Sequence, residues 1–342
     1  MTDGHFREGP HPEGQSGGSE FPASAEDNVL GASEVRVADE VSPFHRELPN
    51  EAAVDVVAER KKARSERRRL LWRSPGFIFG LVIVGLWVLC GFWPDLIAPW
   101  GENEVIRLDD GSTIPRQGPS GDAWFGTDQI GNDVFSRVIY GARPVLIVAP
   151  LAAALSVFAG SILGLIMGYY RGWVDEVISR IVEAFLSIPV ILLALMVIAV
   201  FGATNPIIIM TIAILFTPVV TRTVRSVVIA EAQLDYVTSA KLRGENGLFI
   251  MVREILPNIT AVLVVEFTVR VGYAIFTIAT LAFLGLTAGD ATAADWGRDV
   301  ASNYVLIQSD QWWAALFPAF AIGSLVIAIN LIADSLDKVA KA

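Results

Sequence analysis

The chain has 342 residues, 53% of them hydrophobic, and its mean hydropathy is +0.51. So large an apolar excess excludes an ordinary water-soluble domain and favours a protein that faces lipid. The formal net charge of −10 gives no argument for cationic substrates, because residues 1–59 hold 13 acidic and 3 basic residues and the rest of the chain is neutral.

The first 75 residues divide into an acidic and a basic part. Residues 1–59 are rich in Gly, Pro, Ser and Glu and lack a sustained apolar period, which predicts a disordered tail on the cytoplasmic side. No apolar stretch follows a charged start near the N-terminus, so we do not interpret the tail as a signal peptide. Residues 60–75 are predicted to form a basic juxtamembrane segment. The histidines all lie in the tail: His5, His11 and His45.

Residues 76–342 are predicted to form an all-α integral membrane domain with six transmembrane helices. A helix that crosses about 30 Å of hydrocarbon needs roughly 20 apolar residues. The six apolar runs are residues 77–93, 145–170, 181–201, 206–220, 259–286 and 314–333. The fourth of these runs is short and needs the amphipathic stretch up to Ala230, or a locally thin bilayer, to complete a crossing.

Lysine and arginine are distributed unequally between the two sides that these spans define. Loops on the side of residues 60–73 contain 17 basic residues, whereas the loops at 101–143, 202–205 and 287–313 contain five. Short positively charged loops stay in the cytoplasm, so both termini and the loop at 222–258 are predicted to be cytoplasmic. The large loop at 101–143 is then outside.

Small residues recur every four positions in the second run. Gly160, Gly164 and Gly168 share one helical face with Ala152 and Ser156. Helices in lipid associate through close packing rather than through a hydrophobic driving force, and small residues let their backbones approach. The stripe predicts a tight helix contact, either within this chain or with a partner subunit.

Two ionisable residues lie one helical turn apart in the fifth run, Glu266 and Arg270. Their i,i+4 order, with the acid first, favours pairing. Ionisable groups at membrane depth usually face protein or a water-filled path. Two interpretations therefore stay open, a structural ion pair and a role in lining or gating a pore.

The residue types needed for catalysis, metal binding or nucleotide binding do not occur in suitable patterns. The pattern G-x-S-x-G that starts at Gly14 lies in the tail, without the strand and helix that would expose its serine. None of the five lysines follows a glycine, which excludes a phosphate-binding loop. Cys90 is the only cysteine, which excludes disulfides within the chain and thiolate zinc sites. We expect no catalytic residue, no bound metal or cofactor, and no nucleic-acid partner.

The loop at 222–258, called the coupling loop below, is the most informative stretch. It is predicted to contain a short helix, a break at 244–247 and a second helical segment. This second segment should end at Ile255 and Leu256, because Pro257 disfavours helix in the residue before it. Four apolar residues of the short helix are expected on its surface, where they suit docking into a groove on a partner protein: Tyr236, Val237, Ala240 and Leu242.

The coupling loop resembles the cytoplasmic loop of permease subunits of ATP-binding-cassette (ABC) importers, in particular the C-type subunit of dipeptide and oligopeptide systems. That loop has the form E-A-A, then a glycine four residues on, then I-L-P-N. Thr238 and Ser239 stand where the family usually has Glu-Ala. The matching residues are Ala240, Gly244, Ile255, Leu256, Pro257 and Asn258.

The resemblance extends from about residue 75 to the C-terminus. Residues 125–143 are similar to the peptide-permease signature that precedes the second span, with Asn132 where arginine is commoner. Together the pieces indicate the peptide and nickel subclass. Further pieces occur in family order at residues 170–175, 188–189, 283–286, 296–297 and 330–334.

The resemblance implies the type I importer permease fold and several partner chains. This subunit and a B-type permease would form a heterodimer around the translocation path in the cell membrane. Two separate ATPase subunits would bind ATP, and an extracytoplasmic binding protein would deliver the substrate. The segment at 236–258 would be the coupling helix on the ATPase. Peptides are the leading substrate class, with nickel chelates, glutathione-like molecules and sugars as alternatives.

Two other classes of function remain open on sequence alone. An ion-coupled secondary transporter would use the Glu266 and Arg270 pair in its path, and co-purification of an ATPase would argue against it. A membrane scaffold or enzyme would leave uptake intact when deleted. The missing nucleophile, histidine and metal patterns weigh against an enzyme.

Overall fold

The computed structural model describes residues 69–107, 113–290 and 292–341. In these ranges the regular structure is helical, and β structure is limited to isolated bridges between single residues. The predicted tail at 1–59 and most of the basic segment at 60–75 lie outside the described residues.

The helices of the described ranges are labelled in chain order. A π-helix at Ile250–Ile255 joins α9 to α10, and a 3₁₀-helix at Tyr304–Ser309 follows α11. The helices are α1 (Pro75–Phe92), α2 (Pro94–Ile97), α3 (Val134–Tyr140), α4 (Ala142–Tyr170), α5 (Gly172–Leu186), α6 (Val190–Phe201), α7 (Asn205–Glu231), α8 (Asp235–Leu242), α9 (Gly247–Phe249), α10 (Leu256–Phe283), α11 (Trp296–Asn303) and α12 (Trp313–Lys341).

Five helical stretches of the described chain are long and apolar enough to cross a membrane. These are α1, α7, α12, the stretch Val134–Tyr170 that contains α3 and α4, and the stretch Gly247–Phe283 that contains α9 and α10. A sixth crossing results if the bent pair of α5 and α6 is one span. The predicted all-α membrane fold is confirmed.

The third predicted span, at 181–201, is not one straight helix. Helices α5 and α6 meet at an angle of 84°. Helix α5 ends at Leu186, and Pro189 then stands outside the helical region with ψ at 125°. Proline cannot donate a backbone hydrogen bond and disfavours helix in the residue before it, so a continuous apolar run is broken here. The predicted start at residue 181 is wrong, because α5 already begins at Gly172.

The fourth predicted span is longer than its apolar run. Helix α7 continues past residue 220 to Glu231, so its 27 residues extend for about 40 Å. The expected helical extension through the amphipathic stretch is confirmed.

Buried apolar side chains form two clusters, and α4 and α7 contribute to both. The larger cluster includes Ile212, Ile275 and Trp296. The smaller one gathers Leu165 of α4 and three valines of α7 around the coupling loop. Residues 222–231 of the predicted coupling loop belong to α7, and the remainder of the loop is packed on the same two helices that enter the larger core.

Candidate functional site

Helix α8 of the coupling loop packs into an apolar cluster of the protein's own helices, where it contacts the π-helix Ile250–Ile255. Val237 and Ala240 are fully buried and belong to one apolar cluster with Val224 and Val228 of α7. The expectation that Val237 and Ala240 face a partner is therefore wrong. Their i,i+3 spacing places both on one face of α8, and that face is buried in this cluster, which also contains Ile250 and Ile255 of the π-helix. Leu242, in contrast, is 84% exposed.

Gly244 ends α8 in a left-handed conformation. Its φ is +77°, and its N–H donates to Lys241 O while the N–H of Glu245 donates to Ala240 O. These two bonds define a Schellman motif, which terminates a helix and favours glycine at this position. The glycine that the family motif has at this position is thus favoured by the local backbone conformation. Gly244 is also open to solvent, because a Cβ added there would meet nothing within 4 Å.

The second segment does not end before Pro257, as the sequence predicted. The π-helix Ile250–Ile255 leads directly into α10, and Pro257 lies in the first turn of α10. Proline is tolerated there, because the first N–H groups of a helix have no partner within it. The second segment of the coupling loop and the fifth span are therefore one helical stretch, Gly247–Phe283.

Polar contacts hold the coupling loop in place. The Tyr236 hydroxyl donates to Glu231 Oε1 at 2.7 Å, and Asn258 Nδ2 donates to Glu254 O at 2.7 Å. Burial and the neighbouring Glu231 raise the pKa of Tyr236 to about 12, so its hydroxyl remains a donor at neutral pH. The Lys241 ammonium lies 5.2 Å from the centre of the Tyr169 ring at the end of α4.

The predicted coupling residues divide by exposure. Ala240 and Ile255 are fully buried and attach the loop to the membrane domain. Tyr236 and Leu256 are partly buried. The exposed residues, which leave a surface for a partner, are Leu242, Gly244, Pro257 and Asn258.

The glycine stripe of α4 packs against α7 of the same chain. A Cβ added at Gly160, Gly164 or Gly168 would lie 2.6–2.7 Å from the Cβ of a valine on α7. The sequence left open whether the stripe contacts a helix of this chain or of a partner subunit, and the structure places the contact within this chain. The valines are, in the same order, Val220, Val224 and Val228.

We predict that Gly164→Ala lowers the stability of the permease by about 1–3 kcal/mol, the usual cost of overpacking. The new methyl would lie 2.7 Å from Val224 Cβ and 2.9 Å from the backbone N of Arg225, so the two helices must separate. Thermal unfolding of the purified protein in detergent measures the effect. Gly85→Ala is the matched control, because its Cβ would meet nothing within 4 Å. Equal melting temperatures for the two variants would contradict the packing.

Glu266 and Arg270 form an ion pair inside α10. Arg270 Nε lies 3.1 Å from Glu266 Oε2, and the side chains are only 11% and 13% exposed. The guanidinium also lies 5.1 Å from the centre of the Tyr273 ring and 6.0 Å from that of Phe216 on α7. The pair is therefore surrounded by its own chain.

A buried ion pair that the sequence did not predict joins the two loops expected outside. Arg137 Nη2 lies 2.6 Å from Asp299 Oδ1, and both side chains are 9% exposed. Arg137 Nη1 also donates to Asn103 Oδ1 and to Thr292 O, each at 3.2 Å. Burial raises the pKa of Asp299 to about 6, and Arg137 opposes that rise. This pair fixes α3 to α11 across 162 positions of sequence.

The signature at 125–143 folds into the structure around this pair. The Asp128 carboxylate accepts hydrogen bonds from three successive backbone N–H groups, those of residues 130–132. Trp313 Nε1 donates to Thr127 O at 3.0 Å, and Trp296 Nε1 donates to Val138 O at 2.8 Å. The family resemblance of 125–143 and 296–297 was the sequence signal for this network, although it did not show which residues pair.

Within the described residues, no group of three or more His, Cys, Asp or Glu side chains could hold a metal ion. The geometry instead defines a class: a multi-span membrane protein with a solvent-exposed loop fixed on its helices.

Comparison with known proteins identifies the family. The family of binding-protein-dependent transport system inner membrane components matches residues 160–341, more than half of the chain. A dipeptide transport system permease protein, DppC, of Alkalihalophilus pseudofirmus is 38% identical over 76% of this chain and 83% of its own. A glutathione transport system permease protein, GsiD, of Pectobacterium atrosepticum is 34% identical over 79% and 87%. A di/tripeptide permease protein of Pseudomonas aeruginosa is 35% identical over 78% and 88%.

The chain belongs to this family, the type I permease subunits of ABC importers. It is an integral, multi-pass protein of the bacterial inner membrane, and ATP hydrolysis belongs to partner subunits. Subunits of this kind act with an ATPase, a permease partner and a substrate-binding protein. The resemblance stated from the coupling loop is thereby confirmed, and the ion-coupled secondary transporter is not favoured.

Proposed function

We propose that this chain is the C-type permease subunit of an importer of di- and oligopeptides. It forms one half of the pore with a B-type permease, and two ATPase subunits and an extracytoplasmic binding protein complete the complex. Both termini and the coupling loop lie in the cytoplasm, in agreement with the excess of basic residues on that side.

One observation carries the proposed docking on the ATPase: the coupling loop is fixed at its base and exposed at its tip. Val237, Ala240 and Ile255 at the base are fully buried. Leu242 and Leu248 are 84% and 62% exposed, although both are apolar. An exposed apolar side chain on a rigid helix is a typical anchor for a groove on a partner. Movement of that groove would reach α7 and α10 through the buried base.

The substrate class is proposed from the relatives, whose names include dipeptide, di/tripeptide and glutathione. These solutes are all short and contain at least one amide bond, so small peptides are the solute class that these relatives share. Nickel chelates and other small solutes remain the alternative cargo.

Uptake by the reconstituted complex tests the function. Proteoliposomes with both permeases, both ATPases and the binding protein should accumulate a labelled dipeptide only with ATP, and vanadate should stop the accumulation. Nickel chelate and glutathione serve as competing solutes. Accumulation driven by an ion gradient without ATP would contradict the proposal.

We propose a structural role for the Glu266 and Arg270 pair, because it is 11–13% exposed and packs beside Phe216 of the neighbouring helix. Glu266→Gln should lower the melting temperature of the purified protein. In the uptake assay, the same variant should leave the ratio of ATP hydrolysed to peptide transported unchanged. A changed ratio with normal stability would instead assign the pair to the pore or its gate.

A further inference from the structure

The six predicted apolar runs contain three ionisable residues, Glu183, Glu266 and Arg270. Two of them form the ion pair of α10, whose side chains are only 11% and 13% exposed. The Glu183 side chain, in contrast, is 51% exposed, and that of its partner Arg180 is 73% exposed. Charged side chains at membrane depth are costly against lipid and usually face protein or water. If Glu183 lies at membrane depth, lipid does not cover this face.

The contacts of α5 place Glu183 well inside the membrane. Near the start of α5, Arg225 Nη2 of α7 donates to Asp175 Oδ2 at 2.6 Å. Near its end, Phe185 lines the same apolar cavity as Ile214 of α7. Helix α5 thus runs antiparallel to α7, and Glu183 lies about 12 Å beyond Asp175 along the helix axis. Glu183 is therefore level with the middle of α7, which is long and apolar enough to span a membrane.

Glu183 is one of four polar residues on a single face of α5 and of the residue that caps it. Their positions, i, i+4, i+7 and i+11, differ by at most about 60° around the helix axis. All four are exposed, and they extend from the second turn of α5 to the break before α6. The residues of this polar stripe are Glu176, Arg180, Glu183 and Ser187.

The remaining surface of α5 is mainly apolar. Val182 is 4% exposed, and with Phe185 it lies against α4 and α7. Val177 and Ile181 form a second apolar face that is 50% and 54% exposed, as expected of side chains that contact lipid or an apolar helix. A helix with an exposed apolar face and a separate exposed charged face borders both an apolar environment and water.

The charges of Arg180 and Glu183 are available to a bound solute. Arg180 Nη1 lies 3.6 Å from Glu183 Oε2, which is longer than an ordinary hydrogen bond. An exposed pair of this kind contributes little to stability, so exchanging its partners costs little. A peptide has an ammonium group at one end and a carboxylate at the other. One charge of each sign on the same helix face therefore complements both ends of a peptide.

We propose that the polar stripe lines the cytoplasmic half of the solute path, where Glu183 binds the N-terminal ammonium group of the peptide and Arg180 binds its carboxylate. This inference rests on the proposed function and names the residues that contact the solute. Glu183 and Arg180 are the innermost charges of the stripe, one to two turns before the chain bends by 84° into α6.

The reaction of a cysteine with a charged thiol reagent tests whether the stripe faces water. Ser187→Cys exchanges one atom at the inner end of the stripe, and Ile181→Cys is the matched control on the exposed apolar face. The complete transporter in nanodiscs without ATP is treated with a charged methanethiosulfonate, and labelling of this subunit is followed. Ser187→Cys should react about tenfold faster or more, because only a hydrated thiol ionises readily. The native Cys90 is 4% exposed and gives the background.

Protection by a dipeptide tests the contact to the ammonium group. Alanyl-alanine should slow the labelling of Ser187→Cys. Its N-acetylated form lacks the ammonium group and should need about a tenfold higher concentration, as for one lost hydrogen bond between charged groups. Adding Glu183→Gln should abolish this difference between the two solutes, whereas adding Glu176→Gln, about 10 Å away along the axis, should retain it. Arg180→Gln should likewise abolish the difference between alanyl-alanine and its C-terminal amide.

Other results overturn the inference without affecting the proposed function. Equally slow labelling of Ser187→Cys and Ile181→Cys would show that the stripe does not face water. Fast labelling without protection by alanyl-alanine, or an effect of acetylation that persists with Glu183→Gln, would refute the contact to the ammonium group. Failure of the unmodified complex to take up dipeptide with ATP, with the labelling of Ser187→Cys intact, would instead refute the peptide importer.

Discussion

Replacing Leu242 by Asp is expected to reduce ATP-driven uptake to background while the subunit remains in the membrane. The side chain is 84% exposed and lies at the end of a helix whose opposite face is buried. A charge there leaves the fold of this chain unaffected but puts a desolvated carboxylate into an apolar groove of the ATPase. Loss of such an anchor costs about 2 kcal/mol or more, roughly 30-fold in affinity. Uptake by proteoliposomes and the amount of ATPase retained on the purified permease measure both effects.

Leu96→Asp provides the control, because it makes the same change at a residue that is 87% exposed but lies in α2, far from the coupling loop in sequence. Its uptake should remain close to that of the unmodified protein. Equal loss in both variants would show that a new charge alone, rather than its place on the coupling loop, causes the defect.

Two substitutions of Gly244 distinguish the effect of backbone conformation from the effect of side-chain bulk. Its φ of +77° disfavours a side chain by about 1–2 kcal/mol, although space is open around it. Asparagine tolerates this conformation, so Gly244→Asn should keep the Schellman motif and most of the uptake. Gly244→Leu combines strain with bulk at the proposed interface and should abolish uptake. Full activity of Gly244→Leu would contradict docking at this tip.

Asp299→Asn is expected to destabilise the protein by about 3–5 kcal/mol, because it leaves the Arg137 guanidinium buried without a counter-charge. The two side chains are each 9% exposed, so the unpaired guanidinium would remain largely buried. Thermal unfolding in detergent should show the loss, together with proteolysis in the loops that the pair joins.

The control for this prediction is Asp337→Asn in α12. Asp337 pairs with Lys341 at 2.6 Å, but the side chains are 41% and 75% exposed. A surface pair of this kind contributes about 0–1 kcal/mol, so little change is expected. In addition, Arg137→Met in the Asp299→Asn background should recover part of the stability, since it removes the unpaired charge. A protein as stable with Asp299→Asn as with Asp337→Asn would refute the role of the buried pair.

The spans were predictable from the sequence because bilayer thickness imposes a run length that hydropathy measures directly. The glycine stripe was equally readable, since the four-residue spacing of Gly160, Gly164 and Gly168 follows from helix geometry. Its partner was not readable, because nothing in one sequence states which helix Val220, Val224 and Val228 will meet.

Two of the errors concern prolines whose effect the sequence alone did not decide. Pro189 breaks an apolar run that looked continuous, whereas Pro257 sits in the first turn of α10 after a π-helix and ends nothing. The outcome depends on where a helix begins, which tertiary packing decides. The pair of Arg137 and Asp299 was missed for a related reason, because its members are 162 positions apart and each resembles an ordinary loop charge on its own.

The shortness of α6 has a consequence for the surrounding membrane. Its 12 residues extend for about 18 Å, whereas the hydrocarbon layer is about 30 Å thick. For the bent pair to form one broken span, α5 has to supply the missing length despite the angle of 84°. In a re-entrant arrangement α6 alone would fall about 12 Å short of the hydrocarbon thickness, so either the bilayer thins beside it or a neighbouring polypeptide shields it.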